Sequence, residues 1–280
     1  MNTLLIVDGS NLLFQMFYGM PSRIFNSNGF AIHGTLGFIG ALLKMIRQYS
    51  PSHIIVIFDG ECENARCELS PDYKANRPDF DQLPEEDIPF SQLPHIFSCL
   101  DTLGVQYYET RSCEADDIIA AYALKYGKAE KVIISSQDSD FFQLITENVS
   151  VLRYRGKNSV MCTSEYIKEK LGIFPFQYAD YKSLVGDKAD NIRGAEGIGP
   201  KTAALLLNEF NSLEGILDNV EAIKKEHIRN SIKANKERLR LNYKLIRLSA
   251  SSEIPFDYDD LKFTYNGETT NQILKKSNVL

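Results

Sequence analysis

Three short runs of branched aliphatic residues recur in the first half of the chain, and they constrain its fold more than any other feature. They are Leu4–Val7, Ile54–Phe58 and Val132–Ile134. Stretches with helical apolar spacing lie between them, at Leu36–Arg47 and Ala115–Lys125. Buried parallel strands form continuous apolar runs, and strands that alternate with helices favour a parallel sheet with helical crossovers. The sequence therefore predicts an α/β fold with a central, mostly parallel sheet flanked by helices.

Further elements extend this pattern and then change it near residue 163. Val105–Tyr108 and Val149–Tyr154 are candidate additional strands. Beyond Thr163 the apolar spacing becomes helical. The predicted helical segments are Ser164–Leu171, Gln177–Val185, Lys201–Phe210, Ser212–Asn219 and Ala222–Leu248. The tail Asp257–Leu280 is polar and weakly patterned. We expect an α/β unit over residues 1–163 and a helical unit over residues 164–280.

A Pro-rich excursion over residues 61–94 interrupts the α/β pattern. Connections this long are usually functional or disordered. The excursion contains the sequence YKANRP over residues 73–78, with Arg66 just upstream. Two cations and an aromatic ring can contact a phosphate and stack on an unpaired base, although this motif alone is a weak signal.

Composition excludes several classes of protein. The 280 residues are enough to bury a core without disulfide or zinc staples. The five cysteines are scattered without zinc spacing, so we expect reduced thiols and a cytoplasmic protein. The sequence has no basic leader segment, which would suggest secretion, and no long apolar window, which would suggest a membrane span. The net charge of −6, from 31 Lys and Arg against 37 Asp and Glu, argues against a uniformly basic nucleic-acid-binding protein.

Acidic residues fall where the predicted strands end and where helices or turns begin. The strand ends contribute Asp8, Asp59, Asp138 and Asp140, a helix start contributes Glu114, Asp116 and Asp117, and the turn after Gly186 contributes Asp187 and Asp190. The carboxyl ends of parallel strands meet at one edge of a sheet, where the ligand crevice lies. Each acid alone has an ordinary explanation, such as a helix dipole or a polar turn. Together, nine acids in one crevice would repel each other unless cations neutralise them.

Such a ligand set indicates which cations would bind. Carboxylate oxygens without His or Cys suit Mg²⁺ or Mn²⁺ rather than zinc. Acids from several separate elements suggest two ions, and two divalent ions about 4 Å apart are typical of phosphodiester chemistry.

A second signal is the glycine-rich sequence GAEGIGPKTAA over residues 194–204. Pro200 suits the first position of a helix, and the helix start offers free N–H groups to a phosphate. The turn therefore predicts a sequence-independent grip on a nucleic-acid backbone, although a tight helical turn without a ligand is the alternative. Residues 224–247 carry nine Lys and Arg against two Glu, which would either support that grip or form a solvated helix face.

These motifs, in this order, resemble the bacterial 5′→3′ exonuclease and flap endonuclease family, which includes the N-terminal nuclease domain of DNA polymerase I. The matching segments are LLIVDGSN, IIVIFDG, YKANRP, CEADDIIA, SSQDSDFFQLI, VGDKADNI and GAEGIGPKTA. The resemblance implies a PIN-like nuclease core, a helical arch at residues 61–94, a helix–three-turn–helix motif near residues 184–219 and a basic helix near residues 222–248. It also implies a stand-alone member without a polymerase module, which we expect to be a monomer.

The resemblance further implies roles for individual residues. One ion would be held by Asp8, Asp59, Glu114 and Asp116, and the other by Asp138, Asp140, Asp187 and Asp190, with Asp117 beside them. Lys74 and Arg77 would act on the scissile phosphate. DNA would be bound by Arg66, Tyr73, Gly197, Ile198, Gly199, Pro200, Lys201 and Thr202, with Tyr73 stacking on a terminal base. A potassium ion would be bound by the backbone carbonyls of Leu184, Val185, Arg193, Ala195 and Ile198.

Three functions are compatible with these features. The first is a structure-specific 5′ nuclease that cleaves 5′ flaps and 5′ ends of DNA with two Mg²⁺ or Mn²⁺ ions. The second is a DNA-junction binding protein with little catalysis, against which the full set of acids argues. The third is a phosphohydrolase acting on small phosphate esters, which would leave the glycine-rich turn and residues 224–247 without a purpose.

Overall fold

The computed structural model describes residues 2–60, 65–76, 84, 87–111, 113–248 and 252–280. A six-stranded sheet forms its centre. The strands are β1 Thr3–Asp8, β2 His53–Phe58, β3 Gln106–Glu109, β4 Lys131–Ser135, β5 Val149–Arg153 and β6 Val160–Cys162. Their order is β3-β2-β1-β4-β5-β6, and only the pairing of β6 with β5 is antiparallel. The expected α/β fold with a mostly parallel sheet is confirmed.

The strand order places a crevice at the centre of the sheet. The chain adds β2 and β3 on one side of β1 and then returns to add β4 on the other side. Ligands of such sheets bind beyond the carboxyl ends of the strands, at the point where the order reverses. Here that point lies between the carboxyl ends of β1 and β4.

Helices cover both faces of the sheet and continue into the second half of the chain. They are α1 Gly9–Gly19, α2 His33–Tyr49, α3 Ala65–Leu69, α4 Leu93–Leu103, α5 Ala115–Tyr126, α6 Ser164–Leu171, α7 Tyr178–Val185, α8 Pro200–Phe210, α9 Leu213–Asp218, α10 Glu226–Ala234, α11 Lys236–Ile246 and α12 Thr270–Lys276. A two-residue hairpin, β7 Gly186–Asp187 and β8 Ile192–Arg193, lies between α7 and α8. Among the described residues, no helix combines the length and the apolarity needed to cross a bilayer.

Alternate residues of β1 serve two hydrophobic cores, because successive strand side chains point to opposite faces. Leu5 and Val7 pack with α1, α2, α4 and α12. Leu4 and Ile6 pack with α5, and this second core continues without interruption through buried residues of α7 to α11. The sequence pattern changes near residue 163, but one core spans that point.

The basic segment expected as one long helix is two helices. The helix α10 ends before Asn235, whose backbone torsions (φ −116°, ψ 12°) leave the helical region. The Asn235 side chain donates to the carbonyl oxygen of Ser231 at 2.7 Å and so satisfies one of the carbonyls that the end of α10 leaves without a helical partner. The expectation of a continuous helix over residues 222–248 was therefore wrong.

The polar tail was wrongly assigned to the helical unit. Its helix α12 begins with a capping box between Thr269 and Gln272 and buries Ile273 and Leu274 completely. Both side chains pack in the core that contains α2 and α4. A few apolar residues at helical spacing are enough to dock a tail, and its polar composition concealed them.

Only part of the Pro-rich excursion is described. It contains α3, a turn over residues 71–76 and a short 3-10 helix, Pro89–Gln92. Arg77 lies outside the described residues, and so does Cys62. None of the described cysteines, Cys67, Cys99, Cys113 and Cys162, is in a disulfide.

Candidate metal centre and nucleic-acid interface

Asp8 joins the central strand to the crevice. It is the last residue of β1 and the N-cap of α1, where its Oδ1 accepts from the backbone N–H of Asn11 at 3.0 Å. Its Oδ2 accepts from the Ser136 hydroxyl, just beyond β4, at 2.7 Å. Burial, reinforced by the nearby charge of Asp59, raises the pKa of Asp8 to about 7. The carboxyl is thus fixed in position by neutral donors and becomes costly to ionise without a cation.

Asp59 connects β2 to the start of α5. Its backbone N–H donates to the Ser10 hydroxyl at 2.8 Å, and its Oδ1 accepts from the backbone N–H of Ala115 at 2.9 Å. Asp116 follows in the first turn of α5. Burial raises the pKa of Asp116 well above its ordinary value, and the charges of Asp138, Asp59 and Asp8 add to the shift. We call Asp8, Asp59, Glu114 and Asp116 the first acid group, with Asp117 at its side.

The second acid group consists of Asp138, Asp140, Asp187 and Asp190. One carboxylate oxygen from each of Asp140, Asp187 and Asp190 lies within 4.8 Å of the others. Asp138 accepts from the backbone N–H of Asp140 at 2.8 Å. Burial, followed by the charge of Asp138, raises the pKa of Asp140 to about 8.

The β7–β8 hairpin positions Asp187 and Asp190. Gly186 has φ +89°, in the left-handed region, and a Cβ at Gly194 would clash with the backbone of Val185. The two glycines therefore allow the hairpin to fold tightly against the end of α7, which turns the acids toward β4.

The donor set of the crevice fits a hard divalent cation. Ionised carboxylates only accept, and Mg²⁺ and Mn²⁺ prefer such oxygens. Asp140 Oδ1 is buried and has no hydrogen-bond partner within the part of the chain that the structure describes. A buried acceptor without a donor is costly, and a bound cation would satisfy it. The expected pairing of oxygen ligands with Mg²⁺ or Mn²⁺ is thus compatible with the geometry.

Basic side chains already contact both acid groups. Arg66 donates to both oxygens of Asp117, at 2.9 and 2.7 Å, and also pairs with Glu114. Lys74 pairs with the other oxygen of Glu114. In the second acid group, Lys182 of α7 pairs with Asp187. Burial lowers the pKa of Lys182, but the charges of Asp140 and Asp187 outweigh this effect and raise it overall.

Sequence reasoning missed three of these residues. Ser10 and Ser136 orient carboxylates through their hydroxyls, and Lys182 places a cation among them. Both serines lie next to predicted strand ends, and that position was the sequence signal by which they could have been found. Lys182 is the basic residue of the otherwise uncharged or acidic stretch YADYKSLV, and its position next to Gly186-Asp187 was a weaker signal.

The segment that carries Tyr73 and Lys74 is anchored on the second acid group's loop. The Lys74 backbone N–H donates to the Asp190 carbonyl at 3.1 Å, and Asn76 donates to the Lys188 carbonyl at 3.0 Å. Lys74 has φ +57°, a left-handed conformation that is uncommon for a non-Gly residue. These bonds hold the Lys74 side chain over the crevice.

Two residues expected to contact DNA are largely enclosed by protein. Tyr73 is 6% exposed and packs with Ile192, Leu245 and Ile246. The Arg66 side chain is 11% exposed, and its Nε donates to the Leu245 carbonyl at 3.0 Å. Stacking of Tyr73 on a base stays a prediction, and in this conformation the Tyr73 side chain is buried.

The glycine-rich turn leads into α8 as expected, and its outer side is open. Gly199 is the N-cap and Pro200 the first helical residue. Gly197 has φ +75°, and a Cβ at either Gly197 or Gly199 would meet no atom within 4 Å. Lys201 is exposed. The helix start therefore has room for an incoming phosphate, whereas Ile198 is buried at 4% exposure and can offer only its backbone.

The residues expected to bind potassium through their carbonyls lie at the end of α7, in β8 and in the glycine-rich turn. The Leu184 carbonyl accepts from Ala195 at 2.8 Å, and the Ala195 carbonyl accepts from Ile198 at 3.2 Å. The Arg193 carbonyl accepts from Asn242 at 2.8 Å. Val185, the fifth residue of the set, is the last residue of α7. Potassium binding there stays a prediction.

Known proteins resemble this chain over nearly its whole length. The sequence pattern described as 5′-3′ exonuclease, N-terminal resolvase-like domain, matches residues 3–172, and the pattern described as 5′-3′ exonuclease, C-terminal SAM fold, matches residues 173–268. A 5′-3′ exonuclease of Aquifex aeolicus is 38% identical over 264 residues, which cover 94% of this chain and 87% of that protein. The DNA polymerase I of Borreliella burgdorferi is 35% identical, over 91% of this chain but only 28% of the polymerase.

Solved structures give the same result for the fold. The T5 D15 protein co-crystallized with metal ions has a TM-score of 0.71 at 28% identity, covering 88% of this chain and 89% of that protein. The catalytic core of Rad2 in complex with a DNA substrate shares the fold, with a TM-score of 0.61 at 18% identity, over 99% of this chain and 90% of that core.

Proposed function

The chain belongs to the 5′-3′ exonuclease family, and on that premise we propose that it is a divalent-metal-dependent 5′ nuclease that cleaves 5′ flaps and 5′ ends of DNA. One observation carries the proposal. Acids from the ends of β1, β2 and β4, the start of α5 and the β7–β8 hairpin converge in one crevice. Asp140 Oδ1, a buried acceptor for which the described residues supply no donor, lies among them.

Each acid group would hold one ion. Asp8, Asp59, Glu114 and Asp116 would bind the first ion, and Asp138, Asp140, Asp187 and Asp190 the second, with Asp117 orienting the first group through Arg66. Bound ions would supply a more acidic water and would stabilise charge on the scissile phosphate. The protein's own part is to hold the carboxylates rigidly, which the backbone caps on Asp8 and Asp59 support.

Lys74 would contribute a positive charge to the phosphate, and Arg77 would assist it. In the structure Lys74 pairs with Glu114, so its ammonium group is already within the first acid group. A donor placed where negative charge develops lowers the barrier most when it is preorganised. The anchored backbone of Lys74 provides that preorganisation.

The open start of α8 would hold duplex DNA away from the cut. The backbone N–H groups from Gly197 to Thr202 and the Lys201 ammonium would contact phosphates without reading bases. Potassium at the carbonyls around Leu184 and Ala195 would stiffen this turn. We reassign Arg66 from DNA contact to positioning, because its guanidinium is enclosed and bridges α3, α5 and α11.

A labelled 5′-flap substrate tests the proposed function. We expect cleavage near the junction in Mg²⁺ and none in EDTA, and we expect Asp116→Asn to abolish it. Asp101→Asn, at an exposed acid of α4, is the matched control and should cleave normally.

Two outcomes would replace the proposal. Tight flap binding in Mg²⁺ without cleavage would identify a junction-binding protein. Turnover of a small phosphate ester with no affinity for DNA would identify an unrelated phosphohydrolase.

A further inference from the structure

Lys182 is a buried cation inside the second acid group, and the proposed chemistry does not use it. Its side chain is only 13% exposed, and its ammonium pairs with Asp187 Oδ2. The same ammonium lies 3.8 Å from Asp140 Oδ1. It is therefore placed between two carboxylates that belong to different elements, the segment after β4 and the β7–β8 hairpin.

The surrounding carboxylates explain why a cation is needed there. Oxygens of Asp140, Asp187 and Asp190 approach within 4.8 Å, a separation at which like charges repel strongly away from bulk water. Asp140 Oδ1 has no hydrogen-bond donor among the described residues, and the Lys182 ammonium at 3.8 Å lies near it without satisfying it. That leaves an acceptor open to a closer cation.

The backbone that carries the Lys182 side chain is held in place by a helix cap and by core packing. The carbonyl of Lys182 accepts the capping N–H of Gly186 at the end of α7. The α7 helix packs against α8 and α11 through the continuous core. The ammonium can leave the carboxylates only by rotation of its own flexible stem, because the helix beneath it is fixed.

We propose that Lys182 is a built-in counter-cation that holds the second acid group together before a divalent ion binds there, and that its displacement sets the affinity of that ion. The inference rests on the metal centre proposed above. Lys182 is thereby a positioning residue: it acts on the carboxylates and touches no substrate.

Metal binding without DNA tests this role directly. Lys182→Met keeps the length of the side chain and removes its charge. Mn²⁺ titration calorimetry should then show that one site binds Mn²⁺ at least about tenfold more tightly. The repulsion between a Mn²⁺ ion and a unit positive charge a few ångströms away, at a protein-like dielectric, is larger than the free energy that a tenfold change in affinity represents. Lys188→Met removes the same charge from the exposed residue next to Asp187 and should change Mn²⁺ affinity much less. Unchanged or weaker Mn²⁺ binding by Lys182→Met would overturn the proposal.

Thermal unfolding supplies a second readout that does not depend on activity. In EDTA, Lys182→Met should unfold at a lower temperature than the wild type, because its carboxylates lose their counter-charge, and saturating Mn²⁺ should close the gap. Lys182→Arg keeps the charge and should show neither effect. A Lys182→Met protein that is unfolded with and without Mn²⁺ would contradict the proposal, because a bound ion would then fail to replace Lys182.

The remaining outcomes separate this inference from the proposed function. Weaker flap binding by Lys182→Met at unchanged Mn²⁺ affinity would assign Lys182 to the substrate phosphate and reject the counter-cation role. A wild-type chain that binds no Mn²⁺ would overturn the metal centre itself, and this inference with it.

Discussion

At the scale of single residues, the effect of burial on Asp8 can be measured. Its pKa of about 7 means that the folded metal-free chain keeps a proton between about pH 4 and 7 that the unfolded chain has lost. The free energy of unfolding therefore falls with rising pH across that window. Asp8→Asn keeps the acceptor for Asn11 and has no proton to lose. The free energy of unfolding of Asp8→Asn, relative to that of the wild type, should rise by a few kcal/mol up to about pH 7 and then stay constant, since one pKa unit corresponds to about 1.4 kcal/mol.

Urea unfolding in EDTA at several pH values checks this expectation. Asp101→Asn, an exposed replacement of the same kind, is the matched control. A difference between Asp8→Asn and wild type that is equal at pH 4 and pH 8 would show that the Asp8 carboxyl is not titrating in this range.

Lys74 should affect the rate of cleavage far more than the binding of DNA. Lys74→Ala removes the ammonium but keeps the backbone bond to Asp190, so the segment should stay anchored. Loss of one preorganised donor typically costs about 100- to 1000-fold in kcat, and the Kd for a flap should change by only a few-fold. Single-turnover cleavage and fluorescence anisotropy measure the two quantities, with Lys188→Ala as the matched control. Equal losses in rate and affinity would contradict the proposed role of Lys74.

The acids were predictable from sequence because strand ends and helix starts leave a pattern, whereas their partners were not. Lys182 is one lysine in a helix, and its nearness to Gly186-Asp187 was only a weak signal. The burial of Tyr73 depends on Leu245 and Ile246, which are distant in sequence. Nothing in YKANRP indicates which remote helix covers its aromatic ring.

At the scale of elements, the tail helix α12 stabilises the α/β part of the chain. Leu274 is fully buried against α2 and α4. Leu274→Ala should lower the free energy of unfolding by about 2–5 kcal/mol, the usual cost of truncating a buried leucine. Lys275→Ala, at the exposed neighbouring position, should cost far less. If guanidinium unfolding gives the two variants the same stability, α12 does not dock in solution.

The start of α8 should hold duplex DNA through contacts to its phosphates, without reading bases. Lys201→Ala should weaken the binding of a plain duplex regardless of its sequence and should reduce the slope of log K against log salt by about one. Lys128→Ala removes an exposed lysine after α5 and serves as the control. An unchanged salt slope for Lys201→Ala would show that Lys201 makes no phosphate contact.

Most elements were predictable because their periodicity is strong, and the exceptions have physical causes. The strands β1, β2 and β4 and the helix α6 follow from apolar spacing. The basic helix is interrupted at Asn235, where the backbone leaves the helical region, and the high density of charged residues around Asn235 obscured this break. The placement of α12 depends on a groove made by α2 and α4, and no local pattern describes that groove.

At the scale of the whole molecule, the net negative charge hides an uneven distribution, with acidic residues concentrated in the crevice and basic residues in excess elsewhere. Nine of the 37 acidic residues are Asp117 and the eight members of the two acid groups. The other 28 acids are outnumbered by the 31 Lys and Arg residues. Parallel strands made one shared crevice predictable, because their carboxyl ends share an edge. The continuous core beneath the crevice and the glycine-rich turn was not predictable, since it arises from contacts between helices far apart in sequence. That core joins the negative crevice to α10 and α11, whose Lys and Arg residues we call the basic surface.

This division of charge predicts that divalent ions act differently on two kinds of DNA. A 5′ flap must bring a phosphate to the acids, whereas a plain duplex needs only the basic surface and the start of α8. Added Ca²⁺, under conditions where no cleavage is observed, should therefore tighten flap binding several-fold by neutralising the crevice, because nearby like charges repel the phosphate. At constant ionic strength, duplex binding should change little. Fluorescence anisotropy with both substrates in EDTA and in Ca²⁺ measures this, and an equal gain for both would show that the ions act on the general charge of the protein instead of on the crevice.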